Sequence, residues 1–238
     1  MQPSRRRRAM AGLLTLALTT GSMVAVSRLL DRPVGRISRS TRAAAVVVRD
    51  VTQEIVAYST WVALRARFER AYRRVHVVEL PYRPPRRGKR LIRDEEDLIR
   101  DQIAAACKYA SEVDLFVLSS KYENTPCAVH GLAKEHKDRI RLVYTAQHGC
   151  DDDACEWNCI GATTFVAHPY DEKIGARDHA LFYTVFLRRL LGGMALDAAL
   201  EAGNAYAERR YEWGDGIASP AVVLHGPAHW SLAKWRQS

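Results

Sequence analysis

The chain lacks a glycine-rich phosphate loop. Neither G-x-G-x-x-G nor G-x-x-x-x-G-K-[ST] occurs among its 14 glycines, which argues against a bound nucleotide. The G-x-S-x-G elbow of serine hydrolases is missing as well. Cysteine is sparse, with five in 238 residues and no C-x2-C pair. That excludes a disulfide-dense scaffold and the usual structural zinc spacings. Internal repeats and low-complexity blocks are absent. Residues 1–42 contain no lysine and one acid, Asp31.

What remains is ordinary globular composition, 47% hydrophobic and 26% charged. Without its N-terminal tail the chain has about 200 residues, enough for one domain with a sizeable core. The formal net charge of +9 is unevenly placed. Nine arginines and Asp31 give +8 in residues 1–42, which leaves 27 basic and 26 acidic side chains, or +1, in the rest. A nearly neutral body lacks the broad positive footprint of a nucleic-acid binder. The basicity points to membrane targeting instead.

Arg5-Arg6-Arg7-Arg8 precede an uncharged run over residues 9–26, softened by Gly12, Thr15, Thr19, Thr20, Gly21 and Ser22. A basic segment before an apolar stretch is the pattern of a signal peptide or signal anchor. The run holds 18 residues, marginal against the roughly 20 that span a bilayer. Three readings stay open: an uncleaved anchor, a signal cleaved after Ala25-Val26-Ser27, and a soluble N-terminal helix. The paired arginines after Ser4 also hint at twin-arginine export, although Ala9-Met10 is not its usual continuation. The expected organisation is a signal-anchor or transmembrane segment over 1–30, a basic linker over 31–42 and a folded domain over 43–238. The body is expected outside the cytoplasm, periplasmic or at the cell surface.

The body alternates short β-type runs with helical stretches. AAAVVV at 43–48 reads as a buried parallel strand. A helix is expected over 52–74, with Ile55, Tyr58, Val62, Leu64 and Phe68 near helical spacing. Strand two covers 75–80 and is closed by Pro81. The loop that follows leads into six basic residues, without an acid, between Arg83 and Arg93. Those cations can touch lipid head groups or simply be solvated. Asp94-Glu95-Glu96-Asp97 place acids at the start of the next helix, which runs to about Ala110 with Leu98, Ile99, Ile103 and Ala106 inward. Strands follow at 115–118, 140–146, 162–167 and 221–224. Helices are expected at 126–137, opened by Pro126, and at 177–191 and 194–211. In the helix 177–191, Leu181, Phe182, Val185, Phe186 and Leu190 face inward and Arg188 and Arg189 outward. The pattern predicts an α/β three-layer sandwich on a mostly parallel sheet of about six strands.

In such a sheet the functional site lies beyond the carboxyl ends of the strands. Ser119-Ser120-Lys121-Tyr122-Glu123-Asn124 follow the third strand. Gln147-His148-Gly149-Cys150-Asp151-Asp152-Asp153 follow the fourth, and His168-Pro169-Tyr170-Asp171 the fifth. His148 with Cys150, Cys155 and Cys159 can be read as zinc ligands, although H-x-C-x4-C-x3-C is not a usual spacing. Disulfide pairing among Cys127, Cys150, Cys155 and Cys159 fits an exported domain. Buried or idle thiols are the plainer reading. Asp151-Asp152-Asp153 read as a solvated turn, or as a site for a cation or a basic side chain. Cys107, among alanines on a helix, reads as a small core residue.

Three segments carry a family resemblance. VDLFVLSSKYEN is similar to a strand that ends in a catalytic His. IRLVYTAQHGC is similar to the strand that ends in a catalytic Cys, as in LVxLSACxTG. EWNCIGATTFVAHP, followed by FYTVFLRRLLGGMALDAALEAGNAYA, looks like an xxGAxxVVG strand, an LLxG helix end and an xxAxxxAN helix. From Asp114 to about Tyr206 the chain thus resembles the caspase–haemoglobinase fold of caspases, legumains, separases and CHAT domains. The resemblance covers about half of the body, and its third segment is the most specific.

The departures matter as much. The position of the catalytic His falls within Ser119 to Tyr122, where there is none, and that of the catalytic Cys falls on Gln147. Taking Gln147-His148-Gly149 as the His-Gly motif fails too, because ATTFVAHPY contains no Cys. A cysteine peptidase needs a thiolate with a base in hydrogen-bond reach. The resemblance therefore implies a caspase-like domain that has lost peptidase activity and binds a protein or peptide. The alternative is a cysteine hydrolase with a displaced pair, Cys150 with His148, His130 or His168. Gln147, Asp151, His168, Ser119 and Tyr122 are the expected binding residues. No cofactor, resident metal or nucleotide is implied.

Overall fold

The computed structural model describes residues 42–49, 55–80, 90–118, 125–146, 160–167, 176–211, 222–227 and 232. The chain divides into Met1–Gly35 and Arg36–Ser238, and every described residue belongs to the second unit. The expected membrane segment over 9–26 lies outside the described residues. Among the described residues no helix is long and apolar enough to cross a membrane.

β1 (Ala43–Arg49) is the AAAVVV run, and Ala43 to Val48 are fully buried. Burial on both faces is what selects an unbroken apolar strand over an alternating one. The chain continues through α1 (Ile55–Ala71), β2 (Arg74–Leu80), α2 (Arg90–Tyr109), β3 (Val113–Val117), α3 (Thr125–His130), α4 (Lys134–Lys137), β4 (Ile140–Thr145), β5 (Thr164–Ala167), α5 (Ala176–Leu191), α6 (Leu196–Tyr211) and β6 (Val222–His225). The strands form one six-stranded sheet in the order β2-β1-β3-β4-β5-β6. Five run parallel, and β6 is antiparallel at the edge beside β5.

The chain leaves β1 towards β2 and then crosses back to β3. Crossovers of one hand in opposite directions put α1 and α2 on opposite faces. The core follows that division. Ala44, Val46, Val48, Phe116 and Tyr144 pack under Trp61 and Phe68 of α1, Phe182 and Phe186 of α5, and Leu196 of α6. Ala45, Val47, Leu115 and Val143 pack under Ile99 and Ile103 of α2 and Val129 of α3. The described residues thus form an α/β structure with helices on both sides of a mostly parallel sheet.

Several details differ from the sequence reading. Val62 is 57% exposed and Leu98 36% exposed. Each stands about 100° round its helix from a residue that faces the sheet, Trp61 and Ile99 respectively. α2 begins at Arg90, so the acids 94–97 sit a turn inside it rather than at its start. There Asp97 accepts a 2.7 Å bond from Arg100. The single helix expected over 126–137 is two short ones separated at Gly131, where a Cβ would come within 2.5 Å of Arg100 Nε. Arg188 is buried rather than outward. α5 lies between the sheet, α1 and α6, and residues 182–188 are all buried, so little of its circumference is left to water. Gly226, at φ +89°, closes β6 where a Cβ would fall 1.9 Å from the carbonyl oxygen of Thr163.

The strand starts are fastened by buried charge. Arg42, placed by sequence in the linker, is 2% exposed and precedes β1 directly. Its Nη2 lies 2.8 Å from Asp114 Oδ1 and its Nε 3.2 Å from Glu112 Oε2. Tyr72, at the end of α1, donates its hydroxyl to Asp114 Oδ2 at 2.8 Å. Arg141 of β4 reaches Glu112 Oε1 at 3.3 Å. One cluster therefore ties the starts of β1, β3 and β4 to the end of α1. Burial pushes the Asp114 carboxyl above the ordinary carboxylate range, while Arg42, the Tyr72 hydroxyl and the backbone N–H of Leu142 pull it back. Burial, then the neighbouring Asp114 carboxylate, hold the Tyr72 hydroxyl well above its ordinary value, so it stays a proton donor.

Two substitution sets test this core. Phe186→Ala removes a fully buried ring stacked 5.4 Å from Phe182 and is expected to cost about 3–5 kcal/mol in chemical denaturation. Arg42→Met strands Asp114 in the interior and is expected to cost about 3–5 kcal/mol. Arg42→Met with Asp114→Leu is expected to cost less than the sum of the two single changes, because neither charge is then left alone. Additive losses would show that the pair is not coupled.

Candidate functional site

Parallel pairing delivers the carboxyl ends of β1, β3, β4 and β5 to one edge. The ladder runs one residue past the strands: Leu118 N–H donates to Val47 O at 3.0 Å, and Ala146 N–H to Val117 O at 2.8 Å. Leu118 and Ala146 are buried, so the backbone stays pinned up to the residues that precede Ser119 and Gln147. In the order 2-1-3-4-5 the connections diverge between β1 and β3, and that switch point opens at the same edge.

Ser119, Tyr122, Gln147, His148, Cys150, Asp151 and His168 lie outside the described residues, as do Cys155 and Cys159. The pairing of Cys150 with a histidine and the disulfides from Cys150, Cys155 or Cys159 lie there too. Of the candidate catalytic and binding residues, His130 alone is described. It ends α3, a six-residue helix on the return from β3 to β4, and faces solvent. α3 buries Ala128 and Val129 against the α2 side of the core and leaves Cys127 and His130 outside. Thr125 opens α3 directly after residues 119–124. It is fully buried, and its hydroxyl has no hydrogen-bond partner among the described residues.

Cys107 is the core residue the sequence predicts. It is fully buried, and its thiol lies 3.6 Å from the carbonyl oxygen of His136. Burial pushes the thiol up to about 11, with Arg139 opposing. A thiol so held is not a nucleophile at neutral pH. Among the described residues no group of three or more metal-ligating side chains converges.

No protein-family model and no curated protein matches this chain.

The sequence reading missed the ion cluster of Arg42, Asp114 and Tyr72. Its only trace was an arginine beside the AAAVVV run and a lone acid inside VDLFV. The cluster lies at the strand starts, opposite the edge where parallel α/β sheets place their chemistry.

Cys107 is expected to resist alkylation by iodoacetamide at pH 7.5 in the folded protein and to react fully in denaturant, as read by peptide mapping. Modification of Cys107 under native conditions would show that α2 opens locally.

Proposed function

We propose that this chain is a membrane-anchored, extracytoplasmic domain of caspase or CHAT type that has lost peptidase activity and binds a protein or peptide where β3, β4 and β5 end. The reading rests on one observation. β3 and β4 are adjacent parallel strands whose ladder is intact to Leu118 and Ala146. The positions that the resemblance assigns to the catalytic His and Cys follow directly, and they hold Ser119 to Tyr122 and Gln147. A nucleophile and its base are thus missing from the two neighbouring strand ends that would carry them.

The architecture supports the same reading. Five parallel strands, an antiparallel edge strand and helices on both faces agree with the mostly parallel six-stranded sandwich that the resemblance implies. Fold alone does not assign activity, since one α/β framework hosts many chemistries. The substitutions at the strand ends carry the argument.

The test is chemical. With the full chain, a fluorogenic peptide library is expected to show no turnover. Cys150 is expected to alkylate no faster at neutral pH than an ordinary thiol, which titrates near 8.5. Immobilised peptides from the same library are expected to be captured, and Gln147→Arg to weaken capture without lowering Tm. Selective labelling of Cys150 below pH 7, with turnover abolished by Cys150→Ala, would overturn the binding reading and establish a cysteine hydrolase.

A further inference from the structure

The edge of the sheet opposite the candidate site carries an unbalanced positive charge. Arg42, Arg73, Arg74, Arg139 and Arg141 stand at or beside the starts of β1, β2 and β4. The nearby carboxylates are already engaged. Glu112 and Asp114 pair with Arg42, Glu112 also with Arg141, and Asp138 with Lys134 at 2.8 Å. Arg73, Arg74 and Lys108 are exposed, and no carboxylate among the described residues pairs with them or with Arg139. In a body of formal charge +1 that is a local concentration of cations.

The same edge presents an aromatic ring. Tyr109 is 50% exposed at the end of α2. The Arg74 guanidinium lies 4.0 Å from its centroid, and His76 stacks beside it at 6.1 Å. Burial, then Arg74, lower the His76 imidazole below its ordinary value. Lys108, Tyr109, Ala110, Ser111 and Arg139 line an open cleft of about 340 Å³ there. Arg139 donates to the carbonyl oxygens of Cys107 and Ala110 at the end of α2, which holds its guanidinium at the cleft.

We propose that this edge docks on an anionic lipid surface, with head-group phosphates at Lys108 and Arg139 and the Tyr109 ring at the polar–apolar boundary. Cations flanking an amphipathic ring suit such a surface. The placement rests on the membrane-anchored reading. Residues 27–41, with Arg28, Arg32, Arg36 and Arg39, join the proposed membrane segment to the body, and they enter it at Arg42 on this edge.

The test uses the full chain in nanodiscs of phosphatidylcholine alone or with about 30% phosphatidylglycerol. Backbone hydrogen exchange over 72–76 and 107–112 is expected to slow several-fold on the anionic discs. The protection is expected to disappear at about 0.5 M salt, where screening is strong. Arg73→Ala and Lys108→Ala should each weaken the association about fivefold, the loss of about 1 kcal/mol per cation. Equal exchange on both lipids, with the chain inserted, overturns the docking edge while leaving the anchor intact. If the chain does not insert at all, the anchor reading fails. Sedimentation with phosphatidylglycerol vesicles then decides the edge on its own: salt-sensitive binding weakened by the two substitutions supports it, and no binding overturns it. Binding single-stranded DNA as tightly as the vesicles would overturn the lipid assignment.

Discussion

The burial of β1 on both faces is the constraint from which the rest follows. It is hydrogen-bonded to β2 along one side and to β3 along the other, and Ala43 to Val48 are fully buried. A strand so enclosed can offer no side chain to a ligand along its length. Chemistry is pushed to its two ends, and parallel pairing makes those ends unlike. One edge collects the carboxyl ends of β1, β3, β4 and β5, and the other collects their starts.

The starts carry the electrostatics. Asp114 is fully buried, and a carboxylate so placed is costly unless it is paired and hydrogen-bonded. Arg42 and Tyr72 supply both partners, while Glu112 passes the arrangement on to Arg141. Such a cluster is weak evidence of net stability, because hydrophobic replacement of the whole can be neutral. What it does supply is registry. Arg42 cannot slide along the sheet without separating a desolvated pair.

The fold was legible because β-branched runs and helical spacing report burial directly. β1, β2 and β4 fall within a residue or two of the expected bounds, and α5 shows Phe182, Val185, Phe186 and Leu190 buried as its spacing requires. The errors share a cause. Periodicity describes one face of one element, so it could not foresee that α5 is also covered by α1 and α6, which buries Arg188. Nor could it tell Trp61 from Val62 one position on, or pair Arg42 with an acid 72 residues away. The candidate site was legible only as the segments that follow strand ends, since His, Cys and Asp in loops have no period. Its resemblance to a family named the missing residues rather than the ones present.

On the proposed reading, strand geometry weighs against a displaced catalytic pair. Neighbouring parallel strands are about 4.8 Å apart, so residues directly beyond β3 and β4 are close enough for a base to reach a nucleophile. Cys150 stands three positions beyond Gln147, and three residues of extended chain span up to about 10 Å. A working pair needs heavy atoms within about 3.2 Å. A base at the β3 position that the resemblance assigns need not reach a thiol displaced by up to that span, and SSKYEN contains no imidazole to supply one. A hydrolase using Cys150 therefore requires a second, coordinated change that brings His148, His130 or His168 to the thiol. His130 ends a helix on the return path to β4 and faces solvent. On the proposed reading, abandoned catalysis needs only the two departures at Ser119 to Tyr122 and Gln147, and binding a peptide beyond β3, β4 and β5 would need neither residue.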